Sequence, residues 1–246
     1  MIALLGAVTQ ETEGLRRKML LDRVGASGQT PLFKGSYSGK GVLLVRTGPG
    51  KALAEMATDW LLEHYPVAAV ISFGFAGALA ERLGPGDLVV CDRAYCGEGP
   101  REKLSVRCDD ALVKLANAVR PESAVPSHEG STVSVARVVS RPEEKRALGQ
   151  AFGAATVDME SYWVGETASK RGAPFLVVRG VSDSVGQTIP AFDRFLGTDG
   201  RWLPGAAAGH FAAHPGELAT FPALYRNSRK AARNLVSFLD LLIRRI

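Results

Sequence analysis

The run Phe175-Leu176-Val177-Val178-Arg179-Gly180-Val181-Ser182-Asp183 constrains the fold more than any other feature of the chain. An apolar segment of this length that ends in a polar, acidic tip predicts a strand buried on both faces. Such a strand delivers its last side chain to the carboxyl edge of an open parallel sheet, where folds of that kind bind ligands. Ala154 to Asp158, continuing into Met159-Glu160, repeats the pattern. Two acidic tips on one sheet edge predict one shared site.

Elsewhere strand-like and helix-like segments alternate. Strands are expected at Ile2 to Gly6, Val42 to Thr47, Ala68 to Phe73, Leu88 to Cys91, Thr132 to Val139, Ala154 to Asp158 and Pro174 to Val181. Helical spacing marks Leu53 to Leu61, Leu112 to Val119, Glu143 to Phe152 and Glu160 to Arg171. The alternation predicts an α/β fold, a three-layer α/β/α sandwich around a mixed, mostly parallel central sheet. With 246 residues, 46% of them hydrophobic, the chain can bury one sizeable core. No repeat or low-complexity linker divides it, and Gly84-Pro85-Gly86-Asp87 reads as a turn within a single domain, 1–246. Residues 197–246 form an additional C-terminal helical segment: a loop or short helical excursion from Gly197 to Gly209, then an amphipathic helix within Leu218 to Ile246 that covers one face of the sheet.

The formal net charge of +5 permits anionic ligands. The obvious basic runs, Arg16-Arg17-Lys18 and Arg244-Arg245, read as solvated faces, so nucleic acid is not an expected partner and a membrane surface only a weak one. Met1 to Gly6 is apolar, but Thr9-Gln10-Glu11-Thr12-Glu13 cuts it short and no basic residue precedes it. It reads as a first strand and not as a signal peptide. Together with Cys91, Cys96 and Cys108, an odd count, this makes a cytoplasmic location the expectation, and no apolar run is long enough to span a bilayer. His210 and His214 share a helical spacing but lack a third ligand, so no metal is expected.

Two glycine-rich turns follow predicted strands. Thr47-Gly48-Pro49-Gly50-Lys51 opens a helix, where backbone N–H groups can receive an anion or a ribosyl oxygen. It is not a P-loop, which would need Gly at Val45 and Ser or Thr at Ala52. Phe73-Gly74-Phe75-Ala76-Gly77 lets a ligand approach the main chain. Breaking an N-glycosidic bond builds positive charge on the sugar and negative charge on the departing base, which calls for an anion at one end and a proton donor at the other. Glu160 and Asp183 supply that polarity. A free aspartic acid is almost wholly ionised at neutral pH, so an acid role for Asp183 requires burial, a neighbouring carboxylate or the bound purine.

Taken in order, Gly6-Ala7 with Glu11, Thr47-Gly48-Pro49-Gly50, Gly74-Phe75-Ala76-Gly77, Asp158-Met159-Glu160 and Ser182-Asp183 resemble the nucleoside phosphorylase and nucleosidase superfamily, over residues 1 to about 195. The likeness is strongest to its adenosyl-type branch, the methylthioadenosine/S-adenosylhomocysteine nucleosidases. The resemblance implies a nucleoside phosphorylase-like fold, no cofactor, a homodimer or larger homo-oligomer, and cleavage of a purine, adenosyl-type nucleoside. It implies that Glu11 activates the attacking water, Glu160 accepts the ribose hydroxyls, Met159 packs under ribose and base, and Asp183 is the acid facing the purine. Ser182, Gly48, Phe75, Ala76, Gly77 and Arg179 would border the ligand, with Val138 and Phe152 in the apolar wall.

Phe75 stands where many relatives carry Ser, and Ser72 where phosphorylases place an arginine. A phosphate pocket is thereby incomplete, although Arg46 and Arg179 could supply charge. Glu11 favours water, because a carboxylate repels phosphate. Phe75, Tyr162-Trp163 and the tail residues Trp202, Leu203, His210, Phe211 and Leu218 enlarge the apolar inventory, for the 5′ side of a ligand or for ordinary core and subunit packing, and this tail resembles the hopanoid-biosynthesis-associated phosphorylase branch, which implies a lipid-like 5′ group, as in an adenosyl-hopane. Two alternatives stay open: a phosphate-dependent phosphorylase, and a nucleoside-binding sensor without catalysis.

Overall fold

In a computed structural model, residues 1–27, 30–98, 104–119, 125–190 and 220–246 are described, together with Phe195, Gly205 and Gly209. Strands β1 (Ile2–Gly6), β4 (Lys40–Arg46), β5 (Ala69–Ala78) and β10 (Phe175–Asp183) form the parallel centre of the sheet in the spatial order β4-β1-β5-β10. Strands β2 (Asp22–Ser27) and β3 (Thr30–Tyr37) extend one side as antiparallel neighbours of β4. On the other side β6 (Leu88–Cys96) runs antiparallel to β10 and parallel to β8 (Ser127–Ser134), which pairs with β9 (Thr156–Asp158). Since β9 returns to the end of β5, this half of the sheet curls into a closed ring of five strands, and β7 (Ser105–Arg107) hangs on β6. The expected mixed α/β sheet therefore forms, with its parallel part at the centre.

Alternation along the central strands sorts their side chains into two cores. Ala3, Leu5, Val45, Val70 and Val177 face one layer, against Ala54 and Leu61 of α2 (Lys51–His64) and Trp163 and Val164 of α5 (Ser161–Lys170). Ile2, Leu4, Leu44, Ile71 and Val178 face the other, against Leu15 of α1 (Thr9–Lys18), Leu112 of α3 (Asp110–Asn117), and Leu235, Phe238 and Leu242 of α6 (Phe221–Arg245). Both faces are covered, so the strands read as continuous apolar runs. Helix α4 (Pro142–Phe152) ends at Gly153 in the left-handed conformation, a residue type that tolerates it, and packs over a smaller cluster of Leu79, Val133, Val139 and Val157.

Three strands and one helix depart from the sequence expectation. Helix α1 carries one buried leucine in ten residues, so its apolar period is too sparse to read. Strands β2 and β3 hold Gly25, Pro31 and Lys34, and β7 is three residues long. The strand expected to run on to Val139 stops at Ser134. The C-terminal amphipathic helix is α6; His210, His214, Trp202, Leu203, Phe211 and Leu218 lie outside the described residues. Of the two uses open to Tyr162 and Trp163, core packing is the one found: they are buried in an edge-on pair with centroids 4.8 Å apart. The three cysteines are free and buried, and burial pushes the Cys108 thiol up to about 12, which makes it an inert packing residue. No helix among the described residues is long and apolar enough to cross a membrane.

Candidate active site

The carboxyl ends of β1, β4, β5 and β10 lie along one edge, and the first acidic group enters there from α1. Glu11, at the third helical position, turns back so that Oε2 accepts the N–H groups of Ala7 (2.7 Å) and Val8 (3.0 Å). Its Oε1 accepts the N–H of Phe75 at 2.7 Å, tying the start of α1 to the tip of β5. Glycine is required beside it: a Cβ on Gly74 would stand 2.5 Å from Glu11 Oε1 and 2.7 Å from Arg179 Nη1. Burial raises the Glu11 carboxyl, outweighing the N–H groups of Phe75, Val8 and Ala7 and the Arg179 charge, which pull it down. A buried carboxylate of raised pKa is a stronger base than an exposed one.

The second tip is organised by a buried ion pair. Asp158, at the end of β9, accepts through Oδ1 from Ser134 Oγ (2.6 Å) and the N–H groups of Glu160 (3.0 Å) and Ser161 (2.9 Å). Its Oδ2 accepts from Thr132 Oγ1 (2.8 Å), Ser161 Oγ (2.6 Å) and Arg179 Nε (3.1 Å). Burial opposes its charge, but Arg179 and the hydroxyls hold the Asp158 carboxyl below the usual range. A carboxylate at the start of α5 also suits the helix dipole. Arg179 completes its fork with Nη2 donating to Ser72 Oγ (2.8 Å) and Ser161 Oγ (2.6 Å). Ser72 is thus the small partner that leaves room for Arg179 on the neighbouring strand.

Two residues beyond Asp158, the Glu160 side chain crosses to the loop after β4, where Oε1 accepts the N–H of Gly50 at 2.7 Å. Gly50 has φ of 87° and opens α2. Burial, then the Asp158 charge, push the Glu160 carboxyl up to about 8, against the pull of Arg179 and the Gly50 N–H. The Glu11 charge adds a smaller push in the same direction.

The third tip holds Asp183, 2% exposed. Its Oδ2 accepts from Lys145 Nζ, a fully buried ammonium from α4 that also donates to the carbonyls of Ser184 (3.0 Å) and Gln187 (2.8 Å). Its Oδ1 accepts from Ser182 Oγ at 2.6 Å, and that hydroxyl has a second acceptor in the Ala76 carbonyl at 3.3 Å. Asp183 pairs in register with Gly77, and a Cβ there would lie 3.1 Å from Oδ2. The segment Gly74-Phe75-Ala76-Gly77 is therefore the hub: Glu11 and Arg179 touch its start, Ser182 and Asp183 its end, and Val157 beside Asp158 pairs with Gly77.

The remaining sequence candidates fall around this hub or away from it. Met159 lies half-buried between Asp158 and Glu160. Gly48 has φ of 88° and donates its N–H to the Ala7 carbonyl, a Cβ there would strike Leu53, and Gly50 is the glycine of this turn that meets Glu160. Phe75 contributes its N–H to the site while its ring packs on the core of the α1 and α6 side. Val138 is half-buried in the loop after β8, and Phe152 packs against Tyr95 with centroids 5.7 Å apart. Arg46, a candidate phosphate ligand, donates to Thr9 Oγ1 at 2.7 Å. Two surface clefts, of about 360 and 410 Å³, are lined by residues around Asp92 and Glu129 and around Leu79 and Gly149; neither includes Glu11, Glu160 or Asp183.

The sequence gives Lys145 no part in the site, and it shows Asp158 as an acidic tip within Asp158-Met159-Glu160 without a role of its own. Lys145 follows Glu143-Glu144 and looks like a surface charge, yet with Leu148 and Phe152 it forms the i, i+3, i+7 series of one helix face, the one trace of its burial.

The model of the phosphorylase superfamily matches residues 1–208. The 5′-methylthioadenosine/S-adenosylhomocysteine nucleosidase of Listeria monocytogenes serotype 4a (strain HCC23) is 28% identical over 213 residues, spanning 79% of this chain and 91% of the relative. The protein of the same name from Bacillus thuringiensis (strain Al Hakam) is 29% identical over 210 residues, with the same coverage of 79% and 91%. Among solved structures, the Neisseria meningitidis nucleosidase in complex with methylthio-immucillin-A superposes with a TM-score of 0.80 at 24% identity, covering 100% of this chain and 99% of that one. Native futalosine hydrolase of Helicobacter pylori strain 26695 gives 0.74 at 23% identity, with 97% of each chain covered. At these identities the structural matches speak for the fold.

Arg179 and Asp158 are 3% and 1% exposed, so removing one partner strands the other charge. Arg179→Met is expected to lower unfolding free energy in urea by about 3–5 kcal/mol. A loss below about 1 kcal/mol would mean that the pair does not hold the strand ends together.

Proposed function

The chain belongs to the phosphorylase superfamily, and from that premise we propose that it hydrolyses the N-glycosidic bond of a purine nucleoside, an adenosine with a 5′ substituent, and releases the base. The observation that carries this reading is the placing of three acidic groups in different environments on neighbouring elements: Glu11 and Asp183 meet the two ends of the Gly74 to Gly77 segment, and Glu160, two residues beyond Asp158, reaches the Gly50 N–H. The nucleosidases among its relatives support the hydrolytic class.

In this reading Glu160, as a carboxylate, accepts the ribose hydroxyls and stabilises the cationic sugar, with Met159 beneath the ring. The C1′–N9 bond breaks with its electron pair passing to the purine, while N7 takes a proton from Asp183. Water forms the new bond to C1′ and gives its proton to Glu11. Asp183 needs a proton on one oxygen for this step. Oδ2 is held by Lys145, so Oδ1 is the site, and the Ser182 hydroxyl frees it by turning to the Ala76 carbonyl. Arg179 is buried and engaged with Asp158, Ser161 and Ser72, which argues against its serving phosphate and favours water as nucleophile. The resemblance of the tail to the hopanoid-associated branch directs the 5′ substituent towards a lipid-like group.

The test is adenine release from methylthioadenosine, S-adenosylhomocysteine and lipid-like 5′-substituted adenosines, with and without phosphate. Release independent of phosphate is expected; strict phosphate dependence would identify a phosphorylase, and binding without release a sensor. A positioned general acid contributes about 10²–10⁴-fold. Asp183→Asn is therefore expected to lower kcat by that factor while adenine affinity changes less than about tenfold, and near-normal turnover would remove the acid role.

The pH dependence follows from Glu160. With its pKa pushed up to about 8, it is protonated and neutral below that pH in the free protein, and only the carboxylate can accept both ribose hydroxyls. Because kcat/KM reports the free enzyme, it should climb from about pH 6 to 8 and level off above. The slope should vanish in Glu160→Gln; a profile falling over that range would contradict the role.

A further inference from the structure

Helix α6 carries six of the chain's 30 basic residues and one of its 25 acidic residues. Its net charge equals that of the whole protein, leaving 24 of each sign for everything else. The basic residues look scattered along the sequence, but the helix gathers them. Arg226, Arg229, Lys230 and Arg233 follow i, i+3, i+4, i+7 spacing and are all exposed. The face they form lies opposite Leu224, Ala231, Leu235 and Phe238, which are buried against the sheet. Among the described residues no carboxylate pairs with Arg226, Arg229 or Arg233, whereas the basic residues of α1 are matched by Glu13 and Asp240. Arg226, Arg233 and Asp240 are spaced by seven and fall on one line along the helix. The acid at the end of that line is covered by Lys18 at 3.5 Å and Arg244 at 2.8 Å.

We propose that this face of α6 docks the protein on an anionic lipid membrane. Charge complementarity alone would suit any polyanion; two apolar features select the bilayer. Tyr225 is 64% exposed at the margin of the basic face, with the Arg229 guanidinium 5.7 Å from its ring centroid, the amphipathic pairing that a headgroup layer accommodates. Leu20 is 84% exposed, in a left-handed conformation with φ of 52°, two residues after the Lys18 that reaches α6. A leucine held outward between Lys18 and Arg23 fits an acyl boundary and has no counterpart in a phosphate backbone. The exposed basic residues from Arg226 to Arg233 span about 11 Å of the helix at about 1.5 Å per residue. The inference stands apart from the identity of the nucleoside.

Flotation of the full chain with vesicles tests it. Binding is expected to phosphatidylcholine vesicles containing phosphatidylglycerol, not to phosphatidylcholine alone, and to be lost at about 1 M salt, where the screening length falls to about 3 Å. The triple variant Arg226→Gln, Arg229→Gln, Arg233→Gln should partition at least tenfold less, since each basic residue near an anionic surface contributes about fivefold. Leu20→Asn, which suits a left-handed backbone, should weaken binding severalfold. Both variants should melt as the parent and release adenine from a soluble nucleoside at the parent rate. No flotation with anionic vesicles, or a triple variant that floats unchanged, overturns the proposal. So does Leu20→Asn floating unchanged, or binding of a DNA oligonucleotide without binding of vesicles, either of which would mark a general polyanion surface.

Discussion

Burial of the Arg179 guanidinium among carboxylates is the constraint on which the rest of the edge depends. A charge 2% exposed in a sheet interior is tolerated only when paired and hydrogen-bonded, and Asp158 at the end of β9, Ser161 at the start of α5 and Ser72 within the neighbouring β5 provide that. The same arrangement fixes Asp158 at the start of α5 and so aims Glu160 at Gly50. Ser72 matters because its hydroxyl accepts one of the Arg179 donors, and Gly74 because a side chain would collide with both Glu11 and Arg179.

Around that fixed charge, three acidic groups acquire different characters. Glu11 is wrapped in main-chain N–H groups and raised by burial, Glu160 is raised to about 8, and Asp183 faces a buried ammonium. Separation of protonation states among neighbouring carboxyl groups is how one site runs acid and base chemistry near neutral pH. Sequence supplies the carboxylates; the fold supplies the differences between them.

Much of this is legible in the chain, and the illegible part has identifiable causes. Apolar runs such as Ala69 to Phe73 and Phe175 to Val181 reveal the central strands because both faces are covered. The acidic tips reveal themselves because a carboxylate at the end of such a run needs a specific partner to receive it, structural as for Asp158 or a ligand. Helix α1 stays hidden behind a single apolar contact at Leu15, and β2 and β3 behind glycine, proline and lysine. Lys145 is hidden for a different reason: a lysine after two glutamates has the chemistry of a surface residue, and only the tertiary approach of Asp183, Ser184 and Gln187 buries it. The choice of Gly50 over Gly48 likewise depends on which N–H the Glu160 carboxylate reaches, a matter of geometry across 110 residues of chain.

The central claim is that Glu11, Glu160 and Asp183 surround one ribosyl centre. A crystal structure with an adenosine analogue whose C1′ is joined to the base by an uncleavable carbon bond tests it most directly. The account predicts ribose hydroxyls on Glu160, the purine N7 position on Asp183, and Glu11 on the opposite side of C1′ from the base. An analogue bound elsewhere, or seated at this edge with any of the three carboxyl groups beyond contact, would contradict it.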